Sequence, residues 1–113
     1  MLADGAPPGA SAGDFGAMEA HVVDAAGLLK AMGNRYRLWV LCLLSQRPMT
    51  VSEINQHVPL TQSALSQHLA VLRRDGLVKT RRDSQTIYYR VTPGVAAEVL
   101  QVLHAHFCPR DNK

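Results

Sequence analysis

The chain contains no apolar run long enough to cross a bilayer. Its best candidate, "LWVLCLL" at 38–44, falls well short of the ~20 residues a spanning helix needs. The opening residues "MLADGAPPGASAGDFGA" carry neither a positive n-region nor an apolar h-region, so they do not read as a secretory signal. A cytoplasmic protein with no membrane partner is expected. Cysteine is nearly absent: Cys42 and Cys108 are the only two. Without export, both are expected to rest as reduced thiols. There is also no C-x-x-C motif, no Gly-rich phosphate loop and no clear acid–base pair. Those absences argue against an enzyme and imply no cofactor. Internal repeats are missing too, and 113 residues suggest one domain with one modest core.

Another absence is local. No Asp or Glu occurs from 61 to 74, where a surface helix usually carries some. The net charge of +3 is mild, yet six of the twelve Lys and Arg (Arg73, Arg74, Lys79, Arg81, Arg82, Arg90) fall in one short span. Only Asp75 and Asp83 oppose them there. A clustered basic patch is an electrostatic footprint for phosphates. Taken alone, the plainer reading is a solvated charged hairpin.

What is present gives a clear order of elements. Residues 1–17 are rich in Gly, Ala, Pro and Asp and read as a disordered tail. The folded domain is expected over 18–108, with a short C-terminal tail at 109–113. From Met18, Val22, Ala25, Ala26 and Leu29 fall on one helical stripe. Gly33 and Asn34 punctuate it, and Asn34 is positioned to cap the next helix, "RYRLWVLCLLS", which Arg47-Pro48 should end. In that helix Leu38, Leu41, Cys42 and Leu44 lie on or near one face. Thr50 and Glu53 match the S/T-x-x-E capping box for a short helix reaching about His57. Thr61 then caps a longer helix that stops at Asp75-Gly76. This is a helix-turn-helix. "LVKTRR" and "TIYYRV", separated by Asp83-Ser84-Gln85, read as a β-hairpin. Thr92-Pro93 reads as a cap with proline at the first helical position. A last helix follows to about Phe107, with Val95, Val99, Val102, Leu103 and Phe107 apolar. The fold class is mostly α (α+β): a winged helix-turn-helix of five helices with a two-stranded wing.

On the helix at 61–75, Leu65, Leu69 and Leu72 share a buried face. Ser63, Gln67, Ala70 and Arg74 fall opposite, with Gln62, Ser66 and Arg73 beside them. Glutamine and serine near the helix start can read base edges in a major groove. Arg73, Arg74, Arg81 and Arg82 can neutralise flanking phosphates without reading sequence. The spacing therefore predicts a partner of double-stranded DNA. His68 lies nearer the buried side and is expected to be structural.

These residues also carry a resemblance. "QSALSQHLAVLRRDGLV" followed by "TRRDSQTIYYRV" resembles the bacterial ArsR/SmtB family of winged-helix regulators. With "LLKAMGNRYRLWVLCLL" before and "LHAHFC" after, the similarity runs from about Asp24 to Cys108. The resemblance implies a homodimer built from the first and last helices, bound to an inverted-repeat operator. It does not imply a metal ligand set here. Arsenic and cadmium sensors of the family place cysteines where this chain has Val51, Ser52, Glu53 and Ile54. Zinc and nickel sensors use Asp, His and Glu of the last helix. Here Glu98, His104 and His106 are available, but the two histidines are two residues apart and face different sides of a helix.

The cysteines match a redox- and sulfide-sensing branch of the family, with one cysteine in the second helix and one at the end of the last. Without the resemblance, Cys42 and Cys108 are better read as unrelated thiols, since cysteine often packs as a small hydrophobe. With it, they become a redox-sensing pair. An oxidant or a reactive sulfur species would join them and so control operator affinity, most simply as a repressor. His104, one turn before Cys108, either favours its thiolate or is merely exposed. The alternatives are a zinc sensor assembled across the dimer, and an anti-silencing activator without a thiol switch.

Overall fold

Three polar side chains set three of the helix starts. The Asn34 Oδ1 accepts from the backbone N–H of Tyr36 at 2.9 Å and of Arg37 at 3.1 Å. Thr50 Oγ1 accepts from Glu53 N–H at 3.1 Å, while Glu53 Oε1 accepts from Thr50 N–H at 2.9 Å, closing the capping box. Thr61 Oγ1 accepts from Ala64 N–H at 3.1 Å. Each bond satisfies a donor that the helix start would otherwise leave unpaired.

The computed structural model describes residues 12–109, and their side chains from residue 16. Helices α1 (Ala12–Met32), α2 (Arg35–Leu44), α3 (Val51–His57) and α4 (Gln62–Arg74) lead into strands β1 (Val78–Asp83) and β2 (Thr86–Val91), and α5 (Val95–Phe107) closes the order. The strands pair antiparallel, from Val78 opposite Val91 to Asp83 opposite Thr86. Gly76, at φ 79°, makes the left-handed turn that releases the chain from α4 into β1.

The core is aliphatic. Leu41, Ile54, Leu65, Leu69, Leu72, Leu77 and Val78 are fully buried, and no charged or polar residue is buried among the described residues. The three leucines expected to anchor α4 do so. Neighbours of the core come from α2, α3, α4, the hairpin and α5, so the helix-turn-helix and its wing share one packed interior.

Two expectations are corrected. First, α1 begins at Ala12, so residues 12–17 are helical rather than tail. Extending a helix already nucleated avoids the nucleation cost, which lets even a Gly-containing segment join. The rest of the expected tails, 1–11 and 110–113, lies outside the described residues. Helix α2 ends where expected, at Leu44 with Ser45 at its C-cap, ahead of Arg47-Pro48. Second, Thr92 does not cap α5. Its N–H donates to Leu77 O at 2.9 Å, which ties it to the hairpin. Helix α5 starts at Val95 behind Gly94, which has φ 141° and no side-chain cap. The apolar stripes of the outer helices are largely uncovered. Val22 and Leu29 on α1 are exposed, as are Val95, Val102 and Phe107 on α5, while Ala31, Met32, Ala96 and Leu100 enter the core instead.

Candidate nucleic-acid interface and thiol pair

Helix α4 presents its polar side to solvent because its leucines hold the other side down. Gln62, Ser63, Ser66, Gln67, Ala70, Arg73 and Arg74 are all exposed. Ser66, Ala70, Arg73 and Arg74 line a groove with Leu69 and with Tyr89 of β2. Arg74 is partly answered by Asp75, whose carboxylate lies 3.1 Å from its Nε. The pair is exposed, so the bond is weak and leaves the guanidinium available.

The turn before α4 is held by a residue the sequence reading did not single out. Asn55 Nδ2 donates to Val58 O at 3.3 Å and to Leu60 O at 2.8 Å. Arg37 was also missed. Its Nε donates to Ala31 O at 2.7 Å, and a second nitrogen lies 3.3 Å from Lys30 O. A third approaches His68 Nδ1 at 3.4 Å. An arginine can only donate, so His68 accepts there. One side chain thus ties the end of α1 to the recognition helix. His68 also stacks on Tyr36, with ring centroids 6.2 Å apart. Burial, and secondarily Arg37, push its pKa below the usual histidine value. It is a structural histidine, as its place on the helix predicts. No periodicity rule signals Arg37, because its partners lie 6 and 31 residues away.

The wing is pinned to the helix-turn-helix. Met49 and Tyr89 exchange backbone bonds of 3.0 and 2.8 Å, so β2 is held against the segment that enters α3. The register separates the two wing arginines that the sequence groups together. Successive strand residues point to opposite faces. Arg81 sits opposite Tyr88, with its guanidinium 5.7 Å from the ring centre. It shares a small hollow with Pro48, Tyr88 and Arg90. Arg82 belongs to the alternate face, the face of Tyr89 and the α4 groove, and its Nε donates to Ser84 O at 3.1 Å.

Cys42 lies on α2 and Cys108 at the end of α5, near enough to interact electrostatically. Leu41 is fully buried but Cys42 beside it is exposed, so this cysteine is no part of the core face on which the α2 pattern placed it. It lines a cleft between α2 and α5 with Leu100, Gln101 and His104. Cys108 is half-buried at the end of α5, and its N–H donates to His104 O at 2.8 Å. Both thiols are unbridged. The cleft walls strip water from the Cys42 sulfur and push its pKa up, and the nearby Cys108 adds to the shift. His106 packs edge-on against Phe107, with centroids 4.7 Å apart, and does not line the cleft with His104. Among the described residues no three His, Cys, Asp or Glu side chains converge to hold a metal ion.

A recognition helix flanked by a basic two-stranded wing defines the winged helix-turn-helix class of transcriptional regulators. Residues 35–80 match the family described as bacterial regulatory protein, arsR family. The transcriptional activator HlyU of Vibrio cholerae is 45% identical over 91 residues, spanning 80% of this chain and 84% of that protein. The structure of reduced HlyU from Vibrio cholerae superposes with a TM-score of 0.76 at 45% identity, covering 80% of this chain and 96% of that one. The transcriptional repressor BigR from Xylella fastidiosa superposes with a TM-score of 0.74 at 37% identity, covering 83% and 96%. A homodimeric winged helix-turn-helix DNA-binding domain from Mycobacterium bovis gives a TM-score of 0.70 at 27% identity, covering 88% of each chain. This chain belongs to the ArsR family and is a transcriptional regulator, in the branch of HlyU and BigR. Its relatives are regulators of transcription, not enzymes. Among the described residues no helix is long and apolar enough to cross a membrane.

Proposed function

We propose that this protein is a homodimeric DNA-binding regulator, in its simplest form a repressor, whose operator affinity is set by the Cys42–Cys108 dithiol. Gln62, Ser63, Ser66 and Gln67 read base edges of an inverted repeat. Arg73, Arg74, Arg81 and Arg82 neutralise phosphates. The bare apolar faces of α1 and α5 are the natural seat of the second protomer, and the homodimeric relative supports that assembly.

The observation that carries the switch is the two-sided character of α5. One side lines the cleft with Cys42 and continues to Cys108; the other carries Val95 and Val102 uncovered. A bridge that draws Cys108 toward α2 therefore shifts the helix that spaces the two protomers. Both recognition helices must stand about 34–36 Å apart to dock on one duplex face. A low-molecular-weight persulfide RSSH gives its terminal sulfur to one thiolate and leaves as RSH. Attack of the second thiol on that persulfide releases hydrogen sulfide and closes the disulfide. A peroxide reaches the same bridge through a sulfenic acid, releasing two waters.

The test combines intact mass with operator binding on the same samples, before and after a persulfide or a peroxide. The expected result is an intramolecular Cys42–Cys108 bridge with operator affinity lowered about 5- to 150-fold, the usual range of allosteric coupling. Unchanged affinity in the bridged protein would sink the switch. Release by zinc, with both thiols unmodified, would favour the metal-sensor reading instead.

A further inference from the structure

Peroxide and hydrosulfide are close to water in size, and water occupies only about 30 Å³ in the liquid. The cleft between α2 and α5 measures about 800 Å³. That is the scale of a small-molecule site, about 300–1,000 Å³. Its chemistry is one-sided. Leu100 and neighbouring aliphatic side chains form much of the lining, Gln101 and His104 add polar atoms, and Arg47 and Arg90 bring positive charge. No Asp or Glu lines it. The two arginines are not equivalent. Arg47 already faces Glu53 at 3.4 Å. Arg90 has no carboxylate partner among the described residues. It also stands directly opposite Lys79 in the hairpin, a like-charge pair that costs stability unless an anion answers it.

We propose that this cleft is a docking site for a carboxylate-bearing organic persulfide of peptide size, with Arg90 holding the carboxylate. The inference rests on the thiol switch described above and names the class of sulfur donor that works it. The guanidinium offers two parallel N–H donors to a carboxylate. The apolar lining covers the donor's carbon skeleton, and its sulfur end reaches Cys42, the thiol that lines the cleft. Sulfur transfer is then the balanced step already written: RSSH loses its terminal sulfur to a thiolate and departs as RSH. Arg90 is a positioning residue, since it touches the donor and not the reacting sulfurs.

The experiment uses the full-length reduced protein and follows bridge formation by mass after alkylation quench. Glutathione persulfide supplies the carboxylates, cysteamine persulfide lacks them, and hydrogen peroxide is the small comparator. The glutathione donor should react roughly tenfold or more faster than the cysteamine donor at low concentration, about the size of one charge-assisted hydrogen bond. The preference should saturate with concentration, vanish in Arg90→Gln and be partly kept in Arg90→Lys. Equal rates for the two persulfides, or a preference untouched by Arg90→Gln, would overturn the docking site while leaving the thiol switch standing. A second measurement needs no sulfur chemistry. S-methylglutathione, which cannot transfer sulfur, should shift the NMR amide signals of Arg90 and Gln101 in the wild type and not the Gln101 signal in Arg90→Gln. If no oxidant forms a bridge, the thiol switch fails; absence of these shifts rejects the docking site on its own.

Discussion

Arg81 and Arg82 are neighbours with different surroundings. Arg82 lies on the wing face that continues into the α4 groove, whereas Arg81 leans on Tyr88 across the other face. Arg82→Ala should therefore weaken binding to all duplexes and flatten the log–log salt dependence by about one unit, the release of one phosphate contact. Arg81→Ala should change that slope less. Salt titrations on specific and random duplexes measure both, and equal slopes for the two variants would contradict the facial assignment. Gln67→Ala should instead cost ~1–3 kcal/mol of discrimination at one base pair; uniform weakening across all sequences would reject base reading. His68 belongs to stability. Its folded pKa is lowered from 6.5 by burial and by Arg37, so the unfolded chain takes up the proton first. That contribution is complete above the unfolded pKa, and it is lost as pH falls from about 6.5 through the lowered folded value. Urea unfolding at pH 7.5 and pH 5 should show a larger loss for wild type than for His68→Gln, and the reverse order would dismiss this account.

At the scale of elements, the caps are the local determinants of where the helix-turn-helix begins. Thr50→Ala removes the acceptor for Glu53 N–H and should cost about 1 kcal/mol. For a domain this size that lowers Tm by roughly 4–8 °C, which differential scanning calorimetry resolves. A shift under a degree would assign the helix start to packing alone. Three starts were legible because Asn34, Thr50 and Thr61 each advertise a cap in a few residues. The α5 start was not. Thr92-Pro93 has the same local signature, but a long-range bond to Leu77 O recruits Thr92 into the hairpin, and no local pattern reveals that. The wing was legible as a hairpin, while its tether through Met49 and Tyr89 was not, since the two lie 40 positions apart in the chain. The solvent-facing side of α4 was readable from helical phase. Cys42 was not, because the apolar α2 sequence gives its outward direction no signal, and only α5 across from it makes that direction meaningful.

The whole molecule leaves its outer helices partly bare. Val102 is 67% exposed and Phe107 73%, an arrangement a lone soluble domain rarely keeps as a contiguous patch. Val102→Glu should shift sedimentation equilibrium from dimer toward monomer at micromolar concentration and, with it, lose the avidity of a two-half-site operator. A variant that stays dimeric would move the interface away from α5. The division of labour across the domain has a further consequence. The groove lined by α4 and Tyr89, proposed to face a duplex, shares no lining residue with the cleft that holds Cys42. On the proposed function, vocabulary and trigger are written on largely separate surfaces, joined through the body of the fold. A chimera carrying another regulator's α4 face could answer the same chemical stimulus at a different promoter, and a rebuilt cleft could place the same promoter under a different stimulus.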